Sequence, residues 1–190
     1  EHNANGSVRQ IFWHIRSKRH ILAAGATERP IAFSNNDRPG IMLAGAVRTY
    51  TNRFGVTPGK RVAIFTNNDD GWTTAKDLHT AGVEITAIID SRPDCQKTAP
   101  AGVPCILGGH VVNSSGRLGL RSVLLNNGSI ISADCLAVSG GWSPNVHLTC
   151  HHRGRPIWDN AIAGFVPGNT LPEGMIVAGA AGGTMTIASC

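Results

Sequence analysis

Residues 61–90, "RVAIFTNNDDGWTTAKDLHTAGVEITAIID", carry the pattern from which the fold is read. "RVAIF" is a short apolar strand. Residues 70–81 place Trp72, Ala75 and Leu78 on one helical face, and Gly82 is a natural stop. "EITAIID" is a second strand, rich in isoleucine. Strand, helix and strand within about thirty residues make a βαβ unit, which requires parallel strands and a right-handed crossover.

The turn inside this unit bears on function. A dinucleotide-binding turn needs glycines between strand and helix, because backbone amides must come close to a pyrophosphate. The six residues here are Thr66-Asn67-Asn68-Asp69-Asp70-Gly71. Only Gly71 fits, at the third position, where glycine serves helix–strand packing. Asp69 and Asp70 put negative charge where phosphates would lie, and Asp90 stands where a ribose-binding acid would. The unit reads as a dinucleotide-type fold whose own phosphate site is lost. An unusual NAD site at the same place is the alternative.

Outward from this unit, residues 8–14 and 20–24 read as strands and 26–40 as loop. Leu43, Ala46, Val47, Tyr50 and Phe54 fall at helical spacing, and Gly55 ends that run. From 105 to 138 the texture becomes that of an antiparallel β-meander, with Asn127-Gly128 as a hairpin signal. "GMIVAGAAGG" (174–183) is a further strand running into glycines and a helix start, and "TMTIASC" at the end also resembles the start of a helix. Gly179, Ala180, Ala181 and Gly182 are small enough to present backbone amides to an anion. "AAGATERP" (23–30) is a comparable strand ending, in which Gly25 permits close approach and Pro30 stiffens the exit.

Composition sets the class. The 190 residues are 42% hydrophobic and 15% charged, with 23 glycines and few aromatics, as in a soluble nucleotide-binding α/β protein. The net charge of +5 is scattered apart from Arg16, Lys18, Arg19 and His20. That cluster reads as a solvated loop, since no aromatic residues interleave with it as a nucleic-acid platform needs. Cys95, Cys105, Cys135, Cys150 and Cys190 form no C-x-x-C pair and are odd in number, the pattern of reduced intracellular thiols, which points to the cytoplasm. Cys150-His151-His152 reads as a surface loop rather than a metal site, because no second half-site follows. No signal peptide or long apolar span is present, so neither a membrane nor nucleic acid is an expected partner. Neither Ser139 nor Cys150 can be paired with a base, and no catalytic residue is assigned.

"AAGATERP", "DCLAVSGGWSPN" (134–145) and "VAGAAGG" (177–183) together resemble the two-dinucleotide-domain flavoproteins, which include thioredoxin reductase. The matching positions are Ala24, Gly25 and Ala26 through Arg29 and Pro30, then Asp134, Ala137, Gly140, Pro144 and Asn145, and finally Ala178 and Gly179. The resemblance implies an α/β fold in which one FAD/NAD(P)-binding Rossmann-like domain, with its β-meander, is inserted into the remnant of a second. Residues 1–40 and 169–190 would form the remnant, and 41–168 the inserted domain.

"ATERPIAFSNNDRPGIMLAGAVRTYTNRFGV", "IFTNNDDGWTTAKDL" and "VSGGWSPNVHL" resemble more specifically the alpha subunits of heterotetrameric sarcosine oxidases. That resemblance implies oxidative demethylation of sarcosine to glycine with hydrogen peroxide, the one-carbon unit passing to tetrahydrofolate. It also implies beta, gamma and delta subunits as partners, structural NAD in the alpha subunit, and FAD and FMN outside this chain or at subunit interfaces. Gly25, Ala26, Thr27, Gly179, Ala180, Ala181 and Gly182 become the expected cofactor-binding positions. The sequence departs from the family at its opening, where the strand with its G-x-G-x-x-G turn is missing, as in a partial chain. It departs again at Ala180, where such flavoproteins carry an aspartate for the flavin ribityl chain; this argues for NAD or no ligand. The isolated chain is expected to be inactive. A subunit of a related opine, proline, amine or cyanide-forming dehydrogenase complex is the alternative, and so is a non-catalytic scaffold.

Overall fold

The computed structural model describes residues 4–8 and 10–186. The chain divides into two compact units, Glu1–Gly25 with Pro144–Cys190, and Ala26–Ser143. After a short strand β1 (His20–Leu22) the chain enters the second unit through β2 (Ala26–Glu28), then β3 (Ile41–Leu43) and helix α1 (Ala44–Phe54). The βαβ unit follows as β4 (Arg61–Thr66), α2 (Asp69–Thr80) and β5 (Glu84–Asp90). Next come β6 (Cys105–Leu107), β7 (Val111–Ser115), β8 (Ser122–Leu125), β9 (Ile130–Ser132), β10 (Cys135–Ser139) and β11 (Trp142–Pro144).

The second unit is built on a five-stranded sheet in the order β3-β10-β4-β5-β6. Every pairing in it is parallel. In β4, Val62 and Ile64 face α1 and α2, where they meet Val47, Trp72, Ala75 and Leu78. Ala63 and Phe65 face the other way, against Val111, Val123 and Leu125 of the antiparallel β7-β8-β9 sheet. Burial on both faces explains why β4, β5 and β10 read as continuous apolar runs rather than alternating ones. Each fully buried isoleucine or leucine contributes about 1.5–3 kcal/mol, so these two interfaces dominate the unit's stability.

The meander is narrower than the sequence texture implied. Only residues 111–132 are antiparallel; β6 and β10 join the parallel sheet instead. Short apolar segments bounded by turns look alike in either setting, and the partner decides. The Asn127-Gly128 turn does join β8 to β9, with the Gly128 amide donating to the Leu125 carbonyl at 3.0 Å. Residues 26–28, expected as loop, form β2, which pairs with β11. The described residues of 8–14, expected as a strand, belong to no named strand.

In the first unit β1 pairs in parallel with β14 (Met175–Val177), His20 opposite Met175 and Leu22 opposite Val177. A 3-10 helix spans His147–Arg153, with Cys150 exposed, and β12 (Ile157–Asp159) and β13 (Gly164–Val166) form an antiparallel pair. Asn145 holds the turn after β1: its amide donates to the Gly25 carbonyl at 3.0 Å and its side chain to the Ala24 carbonyl at 2.8 Å. The expected helix at the end of the chain lies largely outside the described residues.

The bounds of these units differ from the expected 1–40 with 169–190, and 41–168. Residues 26–40 pack on the second unit: the Arg29 amide donates to the Gly141 carbonyl at 2.8 Å, and Arg38 Nε to Ser114 Oγ at 3.1 Å. Residues 144–168 pack with the first unit, where a Cβ on Gly154 would run into the carbonyls of Thr149 and Thr170.

Gly71 sets the approach of α2 to β4, since a Cβ there would overlap Thr66 Cβ and Oγ1. Gly71→Ala is therefore expected to destabilise the chain by about 1–3 kcal/mol, the usual range for overpacking. Urea unfolding followed by circular dichroism measures this; an unchanged midpoint would show that the helix can shift freely.

Candidate functional site

The dinucleotide-type turn lies at the carboxyl end of β4, and side chains of the protein itself fill it. Thr66 Oγ1 accepts from the Asn68 amide at 3.1 Å and donates to the Asn68 carbonyl at 2.9 Å. Asn68, in the place of the second glycine, caps α2: its side-chain oxygen accepts from the Asp70 amide at 2.9 Å. Its Nδ2 donates to the Ser139 carbonyl at the end of β10, also at 2.9 Å. The amide that a phosphate would seek is thus already satisfied. Asp70 accepts from the Trp142 indole N–H.

Asp90, the candidate ribose acid, is fully buried and fully engaged. It accepts from Trp72 Nε1 at 2.7 Å, from the Arg92 amide at 2.9 Å and from Arg92 Nη2 at 2.8 Å. Arg92 Nη1 reaches on to Asp69 at 2.9 Å, and Lys97 meets Asp69 at 3.1 Å. Burial alone would raise Asp90's pKa, but the Arg92 and Trp72 donors outweigh it and hold the carboxyl below the ordinary aspartate value. Asp69 is lowered too: slight burial works against it, and Lys97 and Arg92 prevail. Asp90 raises Arg92 above its ordinary value, with Asp69 adding to this against some burial. An open cleft of about 610 Å³, lined by Asp69, Arg92, Cys95 and Lys97, lies beside this network. Arg92 thus engages both Asp69 and Asp90.

The first unit presents the other predicted residues. Gly25 follows β1, and Gly179–Gly182 form a 3-10 turn after β14. Because β1 and β14 are parallel neighbours, both segments leave at the same, carboxyl, end of the pair. The Ala178 amide donates to the Leu22 carbonyl at 3.0 Å there. Gly25 has φ of +70° and open space where a Cβ would stand, so the chain turns here with bare backbone. Ala181 is fully buried beneath its turn. Ala26 and Thr27 lie in β2 of the other unit. Small residues without charge thus stand at the ends of these adjacent parallel strands.

The sequence reading missed Arg92, Trp72, Trp142 and Glu28. A cation two residues after a strand-terminal acid was the available signal for Arg92; nothing local marked the others. Burial pushes the Cys135 thiol, inside β10, up to about 12. Among the described residues no group of three or more His, Cys, Asp and Glu is placed to hold a metal ion, and no helix is long and apolar enough to cross a membrane.

The parallel sheet with its βαβ unit is the fold of the FAD/NAD(P)-binding oxidoreductases. It superposes on L-proline dehydrogenase from P. horikoshii with a TM-score of 0.68 at 22% identity, covering 87% of this chain and 30% of that one. A ferredoxin reductase from Rhodopseudomonas palustris gives 0.64 at 17%, covering 93% and 45%. These likenesses establish the fold alone. In sequence the chain is a relative of sarcosine oxidase subunit alpha: it is 41% identical over 182 residues to that subunit from Rhizobium meliloti (strain 1021). The match takes in 94% of this chain and 18% of the length of that relative. No family model matches the chain.

Arg92→Met would leave the buried Asp90 with Trp72 and one backbone amide. Breaking a fully buried pair costs about 3–5 kcal/mol, and because the Arg92 side chain is 35% exposed we expect about 2 kcal/mol at neutral pH. A lowered aspartate pKa stabilises above its ordinary value of 3.8 and loses that contribution as pH falls through the folded-state pKa. The gap between wild type and variant in denaturant midpoint should therefore close below about pH 3.8; a gap independent of pH would mean that Arg92 acts by packing alone.

Proposed function

We propose that this chain contributes part of an NAD-binding region to the alpha subunit of an amine-oxidising complex of the sarcosine oxidase kind. In this reading the complex demethylates sarcosine oxidatively to glycine, with hydrogen peroxide as a product and the one-carbon unit passed to tetrahydrofolate. Beta, gamma and delta subunits complete it in the cytoplasm, with FAD and FMN outside this chain or at subunit interfaces. The observation that carries the reading is the identity to subunit alpha across nearly the whole chain.

NAD in this reading is a structural ligand, and the role of these residues is to hold it. The paired strand ends of the first unit support the assignment, with Gly25 and Gly179–Gly182 offering backbone and Ala26 and Thr27 continuing the run from Gly25. Ala180, in place of an acid, favours NAD over a flavin. The second unit is a scaffold in this reading, because Arg92, Asn68 and Trp142 occupy the groups a nucleotide would use. A carboxylate about 4 Å from a phosphate costs roughly 1 kcal/mol in water and several times that where screening is poor, which disfavours the Asp69–Asp70 turn further.

Calorimetry with NAD on the intact protein tests this. Gly179 has φ of +63°, so a side chain there would strain the backbone whatever its effect on a ligand. Gly182 is the cleaner position: a Cβ would meet Val177, its carbonyl oxygen at 3.5 Å and its side chain at 3.8 Å, both ordinary contacts. Gly182→Val is expected to weaken NAD binding about tenfold or more, the equivalent of about 1.4 kcal/mol, while Asp69→Asn leaves it nearly unchanged. The reverse result would move the ligand to the second unit.

A further inference from the structure

Glu28 lies outside everything assigned so far. It is 8% exposed, in a short strand that the sequence marked as loop. Its Oε2 accepts from the Gly45 amide at 2.8 Å, in the first turn of α1. No side chain caps that helix, so Glu28 serves as the acceptor for its first turn from 17 residues upstream. Gly45 has no room for a side chain, since a Cβ there would come within 2.6 Å of Oε2. The other oxygen, Oε1, is buried and takes no hydrogen bond.

We propose that Glu28 is a proton-operated clasp that fastens β2 to the start of α1. A neutral carboxyl fits the pocket: its carbonyl oxygen accepts from Gly45, and its hydroxyl, with rotation, can donate to the Ser139 hydroxyl. An ionised carboxylate needs a donor for Oε1; the Ser139 hydroxyl, which donates to Asn68 at 3.3 Å, must turn from that partner to serve it, and otherwise the source is water, which enters only if β2 lifts from α1. The groups facing Glu28 come from every element around it. Arg48 approaches from α1, Asp70 from α2 and the Ser139 hydroxyl from β10; Trp142 of β11 engages Asp70, and Arg29 follows on the same segment. Burial raises the carboxyl above the ordinary glutamate value, and Asp70 adds to this, while Gly45, Ser139 and Arg48 oppose it without prevailing. A raised pKa contributes stability below the ordinary value of 4.5 and loses it as pH rises through the folded-state pKa. Asp69 and Asp90, lowered from 3.8, stay ionised above that value, and Glu28→Gln separates the Glu28 contribution from that of the histidines.

Hydrogen exchange of the intact protein, read by mass spectrometry on peptides spanning residues 26–31 and 41–48, tests this. As pH rises above 4.5, after correction for intrinsic exchange, protection of both peptides should fall together by about threefold or more. Glu28→Gln keeps the acceptor for Gly45 and supplies a donor in place of the proton; it should hold the low-pH protection throughout. Asp70→Asn should move the transition to lower pH, and Arg48→Gln to higher pH. Opposite shifts on altering these two partners, with Glu28 itself intact, would not follow from a purely structural carboxylate. Protection independent of pH in the wild type, or the same pH dependence in Glu28→Gln, would overturn the proposal. Should Glu28→Gln fail to fold, the two partner variants decide it: shifts in the same direction, or none, also overturn it.

Discussion

β4 is covered on both faces, and the second unit is arranged around that constraint. A strand carrying Val62 and Ile64 on one side and Ala63 and Phe65 on the other cannot leave either side in water. Two helices cover one face and a small antiparallel sheet the other. β5 and β10 flank β4, are buried in the same way and run parallel to it, so hairpins cannot join these strands, and helical or long crossovers must. The carboxyl ends of β4, β10 and β5 then converge, bringing Thr66, Ser139 and Asp90 to one edge.

At that edge, where such folds usually receive a nucleotide, the chain has turned inward. Asn68 caps α2 in place of an external anion, and Arg92 supplies Asp90 with the donors a ribose would bring. The charges of Asp69 and Asp90 are neutralised within the protein by Arg92 and Lys97. The close approach at Gly71 survives because it serves packing and not binding. The small-residue turns after β1 and β14 keep the features this turn lost: bare backbone, no carboxylates, and adjacent parallel strand ends.

Glu28 shows a different use of the same region. A carboxyl far upstream in sequence replaces the local cap that α1 lacks, so the order of the first turn of that helix is tied to β2. Such a long-range cap makes the junction sensitive to protonation in a way that a neighbouring serine or asparagine would not.

The local pattern determined a good deal by itself. The βαβ unit over residues 61–90, the helix that ends at Gly55, the turn at Asn127-Gly128 and the packing role of Gly71 were all legible, because periodicity and turn chemistry act over a few residues. The charge of Asp69 and Asp70 was legible as well, though not the partners that receive it. What the sequence could not decide was partnership. Whether β6 and β10 lie in a meander or in the parallel sheet depends on which edge is free to pair, and a three-residue run such as Ala26–Glu28 becomes a strand only because β11 comes beside it. The bonds of Asp90 to Trp72 and Arg92, of Asp70 to Trp142 and of Glu28 to Gly45 exist only once the sheet has closed. Burial then removes water as a competing donor, and only the folded chain determines which side chain takes its place.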